Sequence, residues 1–120
     1  MSRPVIVLTP GEPAGIGPEL ALRVAAGWHA ARVVLVGDLA MLRSRMGAAG
    51  VTALPLVLFE PAREAPDDCI EVQHVPLAVA SVPGRLTPAN ARYVLATLDA
   101  AVDACRSGVA RALVTGPVQK

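Results

Sequence analysis

Aromatic residues, cysteine and lysine are all scarce in this sequence. Its 120 residues include one Trp, one Tyr and one Phe, the two cysteines Cys69 and Cys105, and the single lysine Lys120. Two cysteines so far apart suit neither a disulfide framework nor a zinc motif, so we expect two small buried thiols. With so few aromatic residues, the core has to be built from Ala, Val, Leu and Ile, which suit helices packed closely against a sheet.

Long apolar runs are lacking as well. None approaches the ~20 residues of a membrane span, and the run at residues 5–8 is too short for the core of a signal peptide. We therefore expect a cytoplasmic protein with no membrane partner.

The charge is balanced, and the composition is that of a folded domain. Eleven basic and ten acidic side chains leave a net charge of +1, and the arginines are scattered along the chain. Nucleic-acid binding needs basic side chains clustered on one face, so no nucleic-acid partner is expected. Hydrophobic residues make up 53% of the chain, which excludes a disordered protein. The length is that of one domain, or of a piece of a larger one.

Apolar runs bounded by glycine and proline alternate with helical patterns. Strands are predicted at residues 3–9, 32–37, 54–59, 70–75 and 109–115. Prolines around the third and fourth of these predict sheet edges or loops, whereas the last is expected to be buried. Strands that alternate with helices indicate parallel pairing through right-handed crossovers, and hence an α/β layer architecture.

Three helices are predicted between these strands. Their limits are Pro18 and Gly27 for the first, Asp38 as N-cap and Gly47 or Gly50 for the second, and Thr87 as cap and Gly108 for the third. The apolar face of the first helix is expected to carry Leu20, Val24 and neighbouring alanines. The second helix carries Met41, Leu42, Arg45 and Met46, and one face of the third carries Val94, Leu98, Ala101, Val102 and Cys105.

Two shaped loops follow strands, at residues 9–18 and 115–120. In a parallel sheet both would lie at the carboxyl edge, where open α/β sheets bind ligands. The first loop has the spacing G-x-x-x-G-x-G, which is neither the dinucleotide fingerprint nor a phosphate-binding P-loop. Its glycines either let a ligand approach the backbone beside a helix N-terminus, or serve only a tight turn with unusual dihedral angles.

The other polar candidates are isolated. The carboxylate of Glu12 either accepts hydrogen bonds from amides of its own loop or contacts a ligand hydroxyl. Lys120 suits phosphate contact or proton transfer, although an exposed surface lysine is the simpler interpretation. His29 and His74 have no partners at metal-ligand spacing, and no serine has the flanking pattern of a nucleophile. We therefore predict no catalytic residue and no metal ligand within this chain.

Two motifs resemble one enzyme family. T-P-G-E-P-A-G-I-G-P-E at residues 9–19 closely resembles the opening motif of the 4-hydroxythreonine-4-phosphate dehydrogenases of pyridoxine biosynthesis, and T-G-P-V-Q-K at residues 115–120 is similar to that family's T-G-P-V-x-K segment. The helix between them, with Asn90, Tyr93 and Leu98, also looks like the family's. The core G-I-G-P-E at residues 15–19 further resembles the opening loop of isopropylmalate and isocitrate dehydrogenases.

The resemblance implies a fold and an activity. The fold would be a three-layer α/β/α structure with a mostly parallel sheet, like that of isocitrate and isopropylmalate dehydrogenases. Residues 1–120 would form the N-terminal α/β portion of a larger two-domain subunit, without an internal boundary. Such enzymes oxidise 4-phosphooxy-L-threonine, a small phosphorylated hydroxy amino acid, with NAD or NADP, and the product then loses carbon dioxide. They are homodimers with a divalent metal ion held by three histidines.

The resemblance assigns few residues here. The metal-binding histidines and the main substrate-phosphate contacts would lie beyond Lys120, so the 120-residue chain alone is expected to be inactive. By similarity to the isopropylmalate dehydrogenase loop, Gly15, Ile16 and Gly17 would lie against the dinucleotide, and Glu12 would help to shape the pocket.

Three other functions remain open from the sequence. The first is a paralogue that acts on D-threonate or D-erythronate 4-phosphate. The second is a truncated, non-catalytic module that folds or associates without chemistry. The third, with less support, is a phosphate acyltransferase of related architecture.

Overall fold

The computed structural model describes residues 3–27, 30–64, 68–85 and 87–116. Within them lie five strands and three helices. The strands are β1 (Val5–Thr9), β2 (Arg32–Gly37), β3 (Leu56–Leu58), β4 (Ile70–His74) and β5 (Ala112–Thr115). The helices are α1 (Gly17–Ala26), α2 (Leu39–Ala49) and α3 (Ala91–Arg106), and a short 3₁₀ turn, Pro88–Asn90, leads into α3. None of the helices in these ranges is long and apolar enough to cross a bilayer.

The five strands form one sheet in the order β3-β4-β2-β1-β5, and every neighbouring pair is parallel. The predicted parallel α/β architecture is confirmed. β3 lies at an edge, as its flanking prolines predict. β4 lies inside the sheet, so the expectation of an edge or loop was wrong for it. No proline falls within Ile70–His74, and its amide groups are therefore free to pair on both sides.

Alternate residues of the central strands face two different helical layers. Leu8 and Leu35 belong to the core beneath α1 and α2. Val7 and Val34 belong to a second core, which also contains Ala101 from the C-terminal half of α3. The result is a three-layer α/β/α arrangement, as expected, in which small alanines bring α3 close to the sheet.

The predicted apolar face of α1 was right only for its alanines. Leu20 and Val24 are 43% and 48% exposed, whereas Ala21 and Leu22 are buried. All four are apolar, so the hydrophobic pattern alone could not fix which side of the helix faces the sheet. The smaller Ala21 lets the helix approach β2 and β4 closely.

The face of α3 was predicted in part. Val94 and Ala101 are buried, but Val102 is 43% exposed. Thr97 takes a buried position instead, and its hydroxyl donates to the carbonyl of Val94 at 2.7 Å. This internal hydrogen bond lets a polar residue lie in the core without an unpaired group.

The helix limits agree with prediction except at Gly47 and at Thr87. Asp38 caps α2, because its Oδ1 accepts from the N–H of Met41 at 2.8 Å. Gly50 ends that helix in the left-handed conformation, with φ of +73°, whereas Gly47 lies within the helix rather than at its end. Thr87 precedes the 3₁₀ turn without a side-chain capping hydrogen bond.

Two expectations of burial were wrong. β5 was expected to be buried, but it lies at the edge of the described sheet, and Val114 is 50% exposed. An apolar run cannot distinguish an interior strand from an edge strand. Cys69 and Cys105 form no disulfide, and both are half-buried rather than buried.

Candidate functional site at the carboxyl edge

The ends of β1 and β5 lie side by side. Thr9 is opposite Thr115 in the parallel register, and the N–H of Gly116 donates to the carbonyl of Thr9 at 2.6 Å. The chain passes from β1 to β2 on one side of β1, and it later returns to β5 on the other side. Strand order therefore reverses between β1 and β5, and crevices at such a reversal are the usual ligand sites of open parallel sheets. The predicted meeting of the two loops is confirmed as far as Gly116.

Position 116 requires glycine because the backbone at the carboxyl end of β1 passes directly against it. A Cβ atom there would lie 2.7 Å from the carbonyl oxygen of Pro10 and 2.9 Å from that of Thr9. Backbone atoms cannot move aside as a flexible side chain can. The two loops are therefore held in direct backbone contact.

We expect Gly116→Ala to separate the ends of β1 and β5 and to lower the local opening free energy by about 1–2 kcal/mol, the cost of overpacking. Hydrogen exchange at the amides of β1 and β5 measures this cost. Gly47→Ala is the matched control, since a Cβ atom there meets nothing within 4 Å, and it should be neutral or stabilising. Equal effects of the two substitutions would contradict the packing argument.

We call residues 10–16, between β1 and α1, the glycine loop. Within it, the N–H of Gly15 donates to the carbonyl of Glu12 at 3.0 Å and closes a turn. Gly11 has φ of +82°, in the left-handed region that favours glycine. The N–H of Gly84 donates to the carbonyl of Ala14 at 2.8 Å. Part of the glycine content therefore serves the turn itself, which was one of the two interpretations.

The four predicted site residues, Glu12, Gly15, Ile16 and Gly17, lie in this loop and at the start of α1. Ile16 is the N-cap residue of α1 and is 65% exposed, and no side chain caps the helix. Gly17 is the first residue of α1, and it is buried. The half-buried carboxylate of Glu12 lies 3.4 Å from the N–H of Ala14, at the long limit of a hydrogen bond. An exposed apolar side chain thus stands beside the open N-terminus of a ten-residue helix.

The N-terminus of α2, by contrast, is occupied by side chains. The Oδ2 atom of Asp38 accepts from the N–H of Leu77 at 2.8 Å, in addition to the capping bond of its Oδ1 atom. Nδ1 of His74 accepts from the N–H of Leu39 at 3.0 Å. His74 therefore has a structural role at this helix end.

Tyr93, in the first turn of α3, contacts the carboxyl end of β2 at the N-terminus of α2. Its hydroxyl accepts from the N–H of Asp38 at 3.0 Å, and the ring is buried in the core. Burial, with the nearby Asp38 carboxylate as a smaller cause, raises the pKa of Tyr93 to about 12. The phenol is therefore neutral and hydrogen-bonded under all physiological conditions.

Arg45 is the main residue of this site that the sequence did not identify. Its side chain leaves α2 and is 6% exposed. Nη1 donates to the carbonyl of Pro13 at 2.6 Å, Nη2 to that of Gly15 at 2.5 Å, and Nε to Glu19 at 3.0 Å. One signal was available, since Arg45 is three residues after Leu42 and four before Ala49, both buried. A buried arginine requires partners.

The hydroxyl of Thr9, at the carboxyl end of β1, is buried without a hydrogen-bond partner among the described residues. Ser81 has the same property in that part of the chain. His29 and Lys120 lie outside the described residues, as do positions 117–120 of the second motif. Within the ranges that the structure covers, no group of three or more His, Cys, Asp or Glu side chains is placed to hold a metal ion.

Comparison with known proteins decides the family. The sequence pattern of the pyridoxal phosphate biosynthetic protein PdxA matches residues 29–120. The chain belongs to the PdxA family. The predicted resemblance is thereby confirmed, and the match includes α2, Tyr93 and the second motif.

Individual PdxA relatives agree with this assignment. A 4-hydroxythreonine-4-phosphate dehydrogenase of Chromobacterium violaceum is 52% identical over 118 residues, which are 98% of this chain and 36% of that protein. The crystal structure of a 4-hydroxythreonine-4-phosphate dehydrogenase from Klebsiella pneumoniae is 25% identical with a TM-score of 0.86, over 98% of this chain and 38% of that one. The chain thus spans about a third of the length of these relatives.

A further solved structure broadens the range of related activities. A terephthalate 1,2-cis-dihydrodiol dehydrogenase from Burkholderia xenovorans is 30% identical with a TM-score of 0.78. The match includes 98% of this chain and 35% of that structure's chain. These structural neighbours support the expected fold, that of the isocitrate and isopropylmalate dehydrogenases.

Proposed function

We propose that this PdxA chain is the N-terminal part of a subunit that oxidises 4-hydroxythreonine 4-phosphate with NAD or NADP, in the biosynthesis of pyridoxal phosphate. The observation that carries the proposal is 52% identity, over nearly all of the chain, to a relative named for that dehydrogenase activity. The whole enzyme would be a homodimer, and the phosphorylated substrate would be bound mostly by residues outside this chain.

The glycine loop fits a dinucleotide on three grounds. It lies where the strand order reverses, it presents the exposed Ile16, and it leads into a helix whose first turn has no side-chain cap. The side chain of Ile16 would pack on an apolar ring of the dinucleotide. Gly15 and Gly17 would allow close backbone approach, and Glu12 would border the pocket. When bound, the dinucleotide accepts the hydride that leaves the alcohol carbon of the substrate.

The described residues do not fit a metal ion. They contain no cluster of three or more side chains that could hold one, so we place the ligands of the divalent metal elsewhere in the subunit. The contribution of this chain is to bind and orient the dinucleotide and to keep its end of the sheet rigid.

A hybrid subunit tests the proposal. In it, this chain replaces the matching N-terminal third of the Chromobacterium violaceum relative. We expect the hybrid to convert 4-hydroxythreonine 4-phosphate and NAD or NADP to the decarboxylated product and the reduced dinucleotide. A folded hybrid that binds neither substrate nor dinucleotide would contradict the proposal.

Ile16→Asp in this hybrid should raise the dissociation constant of the dinucleotide about tenfold or more, because it removes an apolar contact and adds a charge that repels phosphate. Fluorescence titration with the reduced dinucleotide measures this. Leu95→Asp is the matched control, since Leu95 is 61% exposed on α3, close to the 65% of Ile16. An unchanged constant for Ile16→Asp would remove Ile16 from the site.

A second candidate function concerns the substrate alone. The likeness to a terephthalate cis-dihydrodiol dehydrogenase suggests a cyclic cis-diol bearing carboxylates in place of the phosphorylated amino acid. D-threonate and D-erythronate 4-phosphate are further alternatives within the same chemistry. Because the substrate would be bound mostly outside this chain, the complete subunit that contains the chain has to be used. Its relative kcat/KM values on the four compounds would rank them, and a preference for the cis-diol would overturn the first proposal while leaving the dinucleotide site in place.

A further inference from the structure

We propose that Arg45 is the positioning residue that fixes the glycine loop for the dinucleotide. The inference rests on the proposed function, and it assigns a role to a side chain of α2 that binds no ligand itself. It starts from the hydrogen-bond partners of the guanidinium group.

The guanidinium of Arg45 joins three parts of the fold. It bonds to the carbonyls of Pro13 and Gly15 in the glycine loop and to the carboxylate of Glu19 in the first turn of α1. Nη2 also lies 2.9 Å from Oε1 of Glu19. A planar group with donors in a fixed fork sets the direction of every acceptor that it binds. The loop and the helix start are thus held in one orientation relative to α2.

The direction of the carbonyl groups determines what the loop presents outward. The carbonyl of Glu12 accepts from Gly15 and that of Ala14 from Gly84. Together with the two carbonyls held by Arg45, four consecutive carbonyl groups, those of residues 12–15, are bound to donors of the protein. A carbonyl turned toward the ligand would meet phosphate oxygens with its negative end. Arg45 binds two of these four carbonyl groups, those of Pro13 and Gly15, and so keeps them from repelling the phosphates of the dinucleotide.

The positive charge of Arg45 also favours binding of the dinucleotide. Glu19 complements the dipole of α1 but would repel a dinucleotide phosphate near the same helix end. The ion pair with the largely buried Arg45 cancels that negative charge where screening by water is weak. Loop geometry and local charge thus depend on one side chain.

A matched pair of substitutions separates this role from general stability. Arg45→Lys and Arg32→Lys each keep the positive charge and remove the fork of a buried arginine from its ion pair with a glutamate. Arg32 lies opposite Val5, at the amino end of the sheet and away from the glycine loop. Both changes should destabilise the fold, but only Arg45→Lys should disturb the dinucleotide site.

In the hybrid subunit, we expect Arg45→Lys to raise the dissociation constant of NAD about tenfold and the KM for NAD in proportion, with a smaller change in kcat. Amide exchange at Gly15 should accelerate, since a lysine cannot hold both loop carbonyls. Arg32→Lys should leave the dissociation constant within about twofold and should accelerate exchange near residues 60–63 instead.

Two results would overturn the inference. One is an unchanged dissociation constant in Arg45→Lys, and the other is an equal rise in Arg32→Lys, which would indicate a general effect of stability. If the unaltered hybrid binds no dinucleotide, the cofactor proposal fails separately. The amide exchange rate at Gly15 then still shows whether Arg45 orders the glycine loop. A rate in Arg45→Lys equal to that of the unaltered hybrid would show that it does not.

Discussion

Arg32→Met should lower the opening free energy of the sheet by about 3–5 kcal/mol, because it removes the two short hydrogen bonds of the buried Glu71 carboxylate and leaves only Arg63, 4.0 Å away, as its partner. The measurement is native-state hydrogen exchange at amides of β2 and β4 in the hybrid subunit, which reports local opening in a protein of several domains. The effect should be largest where β2 pairs with β4 and smaller at the glycine loop.

The size of this effect follows from how fully Arg32 is bound. Its Nε and Nη2 atoms donate to the two carboxylate oxygens of Glu71, each at 2.6 Å, and Nη1 donates to the carbonyl of Arg63 at 2.9 Å. The guanidinium also lies 5.0 Å from the centroid of the Phe59 ring. The hydrogen bonds to Glu71 raise the pKa of Arg32, and both side chains of the pair are under a tenth exposed.

The double variant Arg32→Met with Glu71→Leu is the control for this prediction. It removes both charges and replaces them with apolar groups, which often restores most of the stability of a buried pair. We expect it to recover at least half of the loss. A single substitution that costs less than about 1 kcal/mol, or a double variant no better than the single one, would contradict the interpretation.

The order of strands and helices could be predicted because continuous apolar runs and capping residues are local signals. β2 has the predicted limits Arg32 and Gly37, and Asp38 caps α2 as expected. The orientation of the helices could be predicted only in part. In α1, Leu20 and Ala21 are both apolar, and only the shape of the sheet beneath them decides which one is buried. Sequence periodicity is a weak guide where every candidate side is hydrophobic.

The candidate site divides in the same way. Gly15, Ile16 and Gly17 were predicted from a continuous motif, and they lie together at the carboxyl edge of the sheet. Arg45 was missed because its partners in the glycine loop are about 30 residues away in sequence. Hydrogen bonds between distant segments leave no periodic trace. A charged residue at a position that the helical pattern marks as buried was the only local sign of it.

The buried Tyr93 makes the stability of this edge dependent on alkaline pH. Its hydroxyl accepts from the N–H of Asp38 and lies close to Gly37, where an added Cβ atom would be 2.8 Å away. The phenolate form would have to lose its hydration within the core. Burial therefore raises the pKa of Tyr93 to about 12, compared with about 10 in an unfolded chain.

The sign of the pH dependence follows from which state holds the proton. Between pH 10 and 12 the unfolded chain releases the phenol proton while the folded chain keeps it, so a rise in pH favours unfolding. The contribution of Tyr93 is fully present below pH 10 and is lost as the pH rises through 12. A shift of this size corresponds to about 2–3 kcal/mol, of which about half should be lost at pH 11.

Tyr93→Phe should abolish this part of the pH dependence, and the opening free energies of the two proteins should converge between pH 9 and 11. The substitution also leaves the N–H of Asp38 without its acceptor, so at pH 8 we expect the variant to be about 1 kcal/mol less stable. Phenolate absorbance, measured as the difference between the two proteins, gives the pKa directly. An ordinary pKa near 10, or parallel pH profiles for the two proteins, would show that water reaches the hydroxyl and that Tyr93 does not seal this end of the sheet.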